Sequence, residues 1–208
     1  MSTSPAYPVR LTGGDDLGRS RLTVLFRLVL LIPHVLALML YGLAAFIAVI
    51  AAWFVALVTG RVLPPLHDFL ASYVRYSAYV IAYAAILTDP FPPFNGDAPY
   101  AVAVEIDAPV PQNRLTVLFR AVLVLPCMVL LGYVLDPLLA LIAVGCWFVA
   151  LVTGRVPAGL QRVGLWILRF RVRSYAYVLL VNPRYPSFGG DPASGSLPAD
   201  QASLPPLP

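Results

Sequence analysis

Residues 28–60 read LVLLIPHVLALMLYGLAAFIAVIAAWFVALVTG, thirty-three positions without Asp, Glu, Lys or Arg. How many helices this stretch holds decides the fold. A single membrane-crossing helix needs about 20 residues for roughly 30 Å of hydrocarbon. Thirty-three is too many for one crossing and few for two. Adding LTVLF upstream makes room for two helices of about 18 residues each, a length near the lower limit for spanning. Tyr41-Gly42 marks the turn between them. Residues 121–154 form a second such stretch, interrupted only by Asp136, and Asp136-Pro137 falls where Tyr41-Gly42 falls in the first. Asp-Pro disfavours a helix interior. Each stretch therefore reads as a tight helical hairpin, short enough that incomplete crossing stays open.

The two stretches are copies. RLTVLFR occupies 21–27 and returns at 114–120, and WFVALVTGR occupies 53–61 and returns at 147–155. Tyr83 aligns with Tyr177, Phe94 with Phe188, and Gly96-Asp97 with Gly190-Asp191. The offset drifts from 93 to 94, which requires one inserted residue in the second copy between Pro126 and Trp147. The chain is a tandem duplication. Residues 7–97 form the first repeat and 98–191 the second. Residues 1–6 and the Pro-, Ser- and Ala-rich tail 192–208, which ends in LPPLP, are expected to be disordered.

Composition points to a membrane. Hydrophobic residues make up 60% of the 208, charged residues 12%, and the mean hydropathy is +0.81. Soluble domains are nearer half apolar and a quarter charged. All 14 basic residues are arginine. No apolar core precedes Leu22, so no cleavable signal peptide is read. Cys127 and Cys146 lie in apolar runs and do not suggest a disulfide framework. They would fall at similar depth on antiparallel hairpin helices.

Arginines set the expected topology. Arg21, Arg27 and Arg61 flank the first stretch, Arg114, Arg120 and Arg155 the second, and neither turn carries a basic residue. The positive-inside preference places both hairpin bases and both termini in the cytoplasm. Arg27 and Arg120 are expected to snorkel to the headgroups. A strand is expected ahead of each stretch, at YPVRLT and YAVAVEID. After each stretch comes a third helix, about 66–87 and 160–181. Asp68, Ser72, Arg75, Tyr76, Tyr79 and Tyr83 share one face of the first. Arg162, Trp166, Arg169, Phe170, Arg173 and Tyr177 share the equivalent face of the second. Their charges favour a helix lying in the interface. The predicted fold is a mainly α integral membrane protein, built twice from a short β-strand, a transmembrane helical hairpin and an interfacial amphipathic helix. It has four transmembrane helices and a small cytoplasmic β-pairing. A pseudo-twofold axis along the membrane normal relates the copies.

YPVRL, RLTVLFR, IPH at 32–34, WFVALVTGR, the third helix and DPFPPF occur here in one order. That order resembles a bacterial family of membrane proteins known as domain of unknown function 4389. The resemblance covers about 7–96 and 100–188. The second copy departs from it with LPC at 125–127 and NPRYPSF at 182–188. It implies a bacterial inner-membrane protein and supplies no activity, substrate or cofactor.

His34 is the one ionisable residue deep in a stretch, and such a residue is a functional candidate. A proton relay or ligand role stands against a packed neutral ring, and the second copy has Cys127 there. His67-Asp68 opens a helix after Pro64-Pro65, with no nucleophile motif beside it. Arg27, Arg61, Arg75, Arg120, Arg155, Arg169 and Arg173 are the candidates for an anionic headgroup site. No metal site, cofactor, nucleic-acid partner or small-molecule substrate is identified. The expected function is a non-enzymatic membrane protein that binds anionic lipid or scaffolds a membrane partner. A small channel or transporter is the alternative, and a membrane-embedded enzyme the third reading.

Overall fold

The fold is described here from a computed structural model covering residues 7–14 and 16–188. The expected disordered ends, LPPLP and Gly190-Asp191 lie outside the described residues. Strand β1 (Val9–Gly13) precedes α1 (Arg21–Thr59) and α2 (Pro64–Ala84). Strand β2 (Val102–Ile106) precedes α3 (Arg114–Leu130), a π turn (Leu131–Leu135), α4 (Asp136–Thr153) and α5 (Ala158–Val178). Because α3, the π turn and α4 are continuous, Arg114–Thr153 is one rod of 40 residues beside the 39 of α1. The fold is thus mainly helical, with four helices and a two-stranded sheet. Two of the helices are long and apolar enough to cross a membrane.

The hairpins are not there. α1 runs unbroken through Tyr41-Gly42. A glycine in a helix costs only about 1 kcal/mol relative to alanine, too little to reverse a chain of good helix formers. Gly42 serves packing instead, since a Cβ there would stand 3.2 Å from the Tyr73 hydroxyl. In the second copy, Pro137 stands two residues past the last residue of the π turn, in the first turn of α4. The wider turn opens the ladder where the proline ring would otherwise meet the carbonyl four residues back. This turn lies inside the interval where the repeat offset slips from 93 to 94. The inserted residue has become a π turn, and the rod continues past it.

The two rods lie antiparallel and are joined at both ends. Arg19 N–H donates to the Gly154 carbonyl at 2.9 Å, and Gln112 N–H to the Gly60 carbonyl at 2.8 Å. Trp147 Nε1 donates to the Val24 carbonyl at 3.1 Å, and its repeat mate Trp53 to the Val117 carbonyl at 3.0 Å. Each rod ends on a glycine in the left-handed conformation, Gly60 at φ 74° and Gly154 at φ 72°, the usual helix stop.

α2 packs antiparallel along α1, and α5 along α3–α4. The strands cover α2 and α5 on the side away from the rods, with an exchange: β1 rests on α5 and β2 on α2. They pair antiparallel, with Leu11 opposite Val104, Val9 opposite Ile106 and Gly13 opposite Val102. Leu11 and Val104 are repeat mates, so a pseudo-twofold axis passes between them, perpendicular to the rods. The expected strand pairing and the equivalent packing of the copies are both present.

Three layers result: sheet, short helices, rods. The short helices are therefore not surface-lying. Ser72, Tyr76, Tyr79 and Tyr83 on the predicted headgroup face of α2 are buried, as are Phe170, Arg173 and Tyr177 on α5. Strands and connecting segments take up their polar groups, and the rods cover the apolar side. Each rod keeps one narrow inward stripe, in α1 running from Val24 through His34 and Ala45 to Ala56. The rest of each rod is exposed and apolar, and most exposed large hydrophobics among the described residues belong to the rods.

Candidate functional site

One arginine fastens each short helix to its rod, Arg27 in the first repeat and Arg120 in the second. Arg27 is 2% exposed. Its Nη1 donates to the Tyr83 carbonyl at 2.5 Å and the Thr88 carbonyl at 2.9 Å, and Nη2 meets Asp89 Oδ1 at 3.3 Å. The guanidinium lies 4.2 Å from the centre of the Tyr83 ring. Arg120, 3% exposed, repeats the arrangement. Nη1 donates to the Tyr177 and Asn182 carbonyls at 2.9 and 3.4 Å, and Nη2 to Gln112 Oε1 at 2.9 Å. Its ring partner is Tyr177 at 4.4 Å. Both side chains cap the C-terminal carbonyls of a short helix. They do not snorkel, because those carbonyls take their donors.

Beyond each cap the chain turns through a residue with positive φ, Ile86 at 60° and Leu180 at 62°. Side chains hold both turns by their carbonyls: Arg19 Nε reaches Ile86 at 3.1 Å and Gln112 Nε2 reaches Leu180 at 2.7 Å. Burial draws the Arg19 guanidinium below its ordinary range. His67 Nε2 bonds the Val181 carbonyl across the repeats at 3.2 Å, and its mate Gln161 bonds Leu87 at 2.8 Å. His67 is therefore part of a cross-repeat tie. Tyr7 and Tyr100, also mates, have hydroxyls pushed up to about 12 by burial. Tyr7 donates to the Arg184 carbonyl and Tyr100 to that of Pro90.

The remaining candidate arginines divide into two groups. Arg75 pairs with Asp97 at 2.9 Å and reaches the Val104 carbonyl at 3.2 Å. Arg169 reaches the Leu11 carbonyl at 3.5 Å. Buried Arg173 reaches the Val9 and Ser187 carbonyls and lies over the Tyr7 ring. These three hold the sheet. Arg61 and Arg155 are exposed at opposite ends of the rod pair. Arg114 lies beside Gly60 and Arg21 beside Gly154, so each end carries two exposed arginines.

His34 is fully buried. Its Nδ1 is 2.9 Å from the Tyr76 hydroxyl, Nε2 has no partner among the described residues, and Phe94 stacks on the ring at 4.3 Å. At the equivalent place Cys127 bonds Ser174 at 3.0 Å. Cys127 and Cys146 share one rod rather than facing each other. Nineteen residues separate them, about 28 Å of helix. No group of three metal-ligating side chains occurs among the described residues.

Two clefts open between the rods, one at each end, and they are symmetry mates. Arg27, Leu28 and Trp147 line the first, of about 350 Å³. Arg120, Ala121 and Trp53 line the second, of about 530 Å³. In both, the arginine Nε is buried and has no partner among the described residues. The first cleft carries Leu28 where the second carries Ala121. Asp89, the acid beside Arg27, is replaced by Pro183. Comparing the repeats position by position would have exposed both differences. Arg19 and Gln112, which are mates of different chemistry, escape such a comparison.

The duplicated layout coincides with a family match over residues 21–95 and 114–189, described as a domain of unknown function (DUF4389). The chain belongs to this family. The DUF4389 matches start at the first residue of each rod and extend past the short helix into the segment beyond it. Each DUF4389 copy thus contributes a rod, a short helix and an arginine cap, while the strand pair lies outside the matched residues. No curated protein and no solved structure matches the chain.

Proposed function

We propose that this is a non-enzymatic membrane protein that lies in one leaflet on its two rods and binds anionic headgroups at the rod ends. The position of the sheet carries this reading. Arg171 is paired with Asp136 at the middle of the α3–α4 rod, and two residues before it Arg169 meets Leu11 at the centre of the sheet. The sheet thus lies over the midpoint of the rods. Its outer side carries Arg10 paired with Glu105 and Asp107 at 3.1 and 3.4 Å. Rods that crossed a bilayer would bring those charges to its centre, where each costs several kcal/mol.

Length argues the same way. A helix of 39 residues is about 58 Å long. Fitting it into about 30 Å of hydrocarbon needs a tilt near 60°, beyond the ordinary range of about 0–40°. Lying flat, the rods put their apolar circumference into the acyl region to a depth of about 5–10 Å. The pseudo-twofold axis then coincides with the membrane normal. The exposed pairs Arg21 with Arg155 and Arg61 with Arg114 come level with the headgroups. Each arginine is worth about 1 kcal/mol near an anionic leaflet. A bacterial inner membrane, rich in anionic lipid, is the expected location.

Cysteines introduced by Ser20→Cys and Leu63→Cys mark the two ends of α1. In sealed vesicles an impermeant maleimide should reach both from the same side. Labelling from opposite sides would mean that α1 crosses and would end this reading.

A further inference from the structure

We propose that the larger cleft, between α1 and α3, binds one long-chain carboxylate, its head on Arg120 and its chain running out between the rods. The inference rests on the reading that the rod face meets the bilayer, because the cleft opens on that face.

The argument starts from charge. Arg27 has Asp89 at 3.3 Å to balance it. Its mate Arg120 is equally buried, yet every partner it has is neutral: two backbone carbonyls, the Gln112 amide oxygen and the face of Tyr177. No acid pairs with Arg120 among the described residues, because proline stands at 183 where the first copy has Asp89. A buried guanidinium without a counter-ion is unfavourable, because it has given up its hydration with no charge to replace it. Its Nε–H is also unsatisfied. An arriving anion would supply both missing interactions.

The shape of the cleft selects the anion. Apart from Arg120 its lining is apolar, from Ile50, Trp53, Phe54, Ala121 and Val124 among others. Its volume of about 530 Å³ exceeds that of the first cleft, where Leu28 replaces Ala121. Small-molecule sites are clefts of about 300–1,000 Å³, mostly apolar with a few placed polar groups. A carboxylate at the end of a single chain can pass between the rods to a 3% exposed guanidinium. A phospholipid would have to drag its glycerol and headgroup into the same apolar slot. The Nε edge of a guanidinium also presents two N–H groups in the fork that a carboxylate accepts. The first repeat carries its own acid at 3.3 Å and a smaller slot, so the proposed site is the second. One ligand per chain follows.

The test uses the full chain in detergent with palmitate, read by native mass spectrometry and by titration of tryptophan fluorescence. One palmitate should bind, and methyl palmitate, which has no charge, should bind at least tenfold more weakly. Ala121→Leu and Pro183→Asp each import the residue of the first repeat, and each should reduce palmitate affinity at least tenfold. Circular dichroism of both variants checks that they are folded. Should either misfold, the contrast between palmitate and methyl palmitate on the unaltered chain still decides. Equal binding of the two overturns the proposal. So do two palmitates per chain, unchanged binding in folded Pro183→Asp, or retention of phosphatidylglycerol with palmitate excluded. Because binding is measured without a bilayer, its failure is separable from a failure of the vesicle labelling.

Discussion

A guanidinium surrounded by fixed carbonyls is a structural part rather than a free charge. Arg27 and Arg61 flank the same apolar run and look alike in sequence, yet one is buried against Tyr83 and the other is exposed. The difference was not legible, because it depends on where α2 returns, and a basic residue beside an apolar stretch reads first as a topology signal. Helix ends are more legible: Thr-Gly-Arg at 59–61 and 153–155 places glycine where a helix stop favours it, and the left-handed glycines stand there. The two arginine classes should separate on substitution. Arg27→Gln removes one partner of a buried ion pair and should cost about 3 kcal/mol of stability. Arg61→Gln with Arg155→Gln should stay within about 0.5 kcal/mol per site, while weakening flotation with anionic vesicles severalfold. Chemical denaturation and vesicle flotation read the two effects.

Among the elements, the rods departed furthest from expectation. Tyr41-Gly42 and Asp136-Pro137 both carry turn chemistry, and neither turns. Local propensity lost to a continuous inward stripe from Val24 to Ala56, which an unbroken helix presents to α2 and to the second rod. The inserted residue was visible in the repeat offset, though its outcome as a π turn was not. The insertion has a consequence for deletion variants. Removing Gly132 together with Pro137→Ala restores the spacing of the first copy, so the bond from Trp147 to Val24 should persist. Removing Met39 from α1 rotates everything beyond it by about 100° relative to His34. The Gly132 variant should melt within a few degrees of the unaltered chain. The Met39 variant should lose its cooperative transition.

For the whole molecule, the duplication and the strand pair were read from the alternating pattern at 102–106 and the repeated strings. The three-layer order was not, since nothing local says that β1 belongs to α5 and β2 to α2. That exchange makes each repeat incomplete alone. Fragments 1–97 and 98–208 should therefore co-purify in a one-to-one ratio through a tag on either half. Recovery of a stable, monomeric first half would contradict it.

The exchange also orders events during synthesis. β1 leaves the ribosome ahead of every other described element, but its carbonyls at Val9 and Leu11 are bound by Arg173 and Arg169. About 160 residues must follow before those arginines exist, which takes roughly 8–32 s at about 5–20 residues per second. Its partner β2 is made by Ile106, but until α5 follows the strand has no helix to rest on, while two rods of apolar surface are already complete. On the reading proposed above, the leaflet takes up those rods before the chain can close on itself.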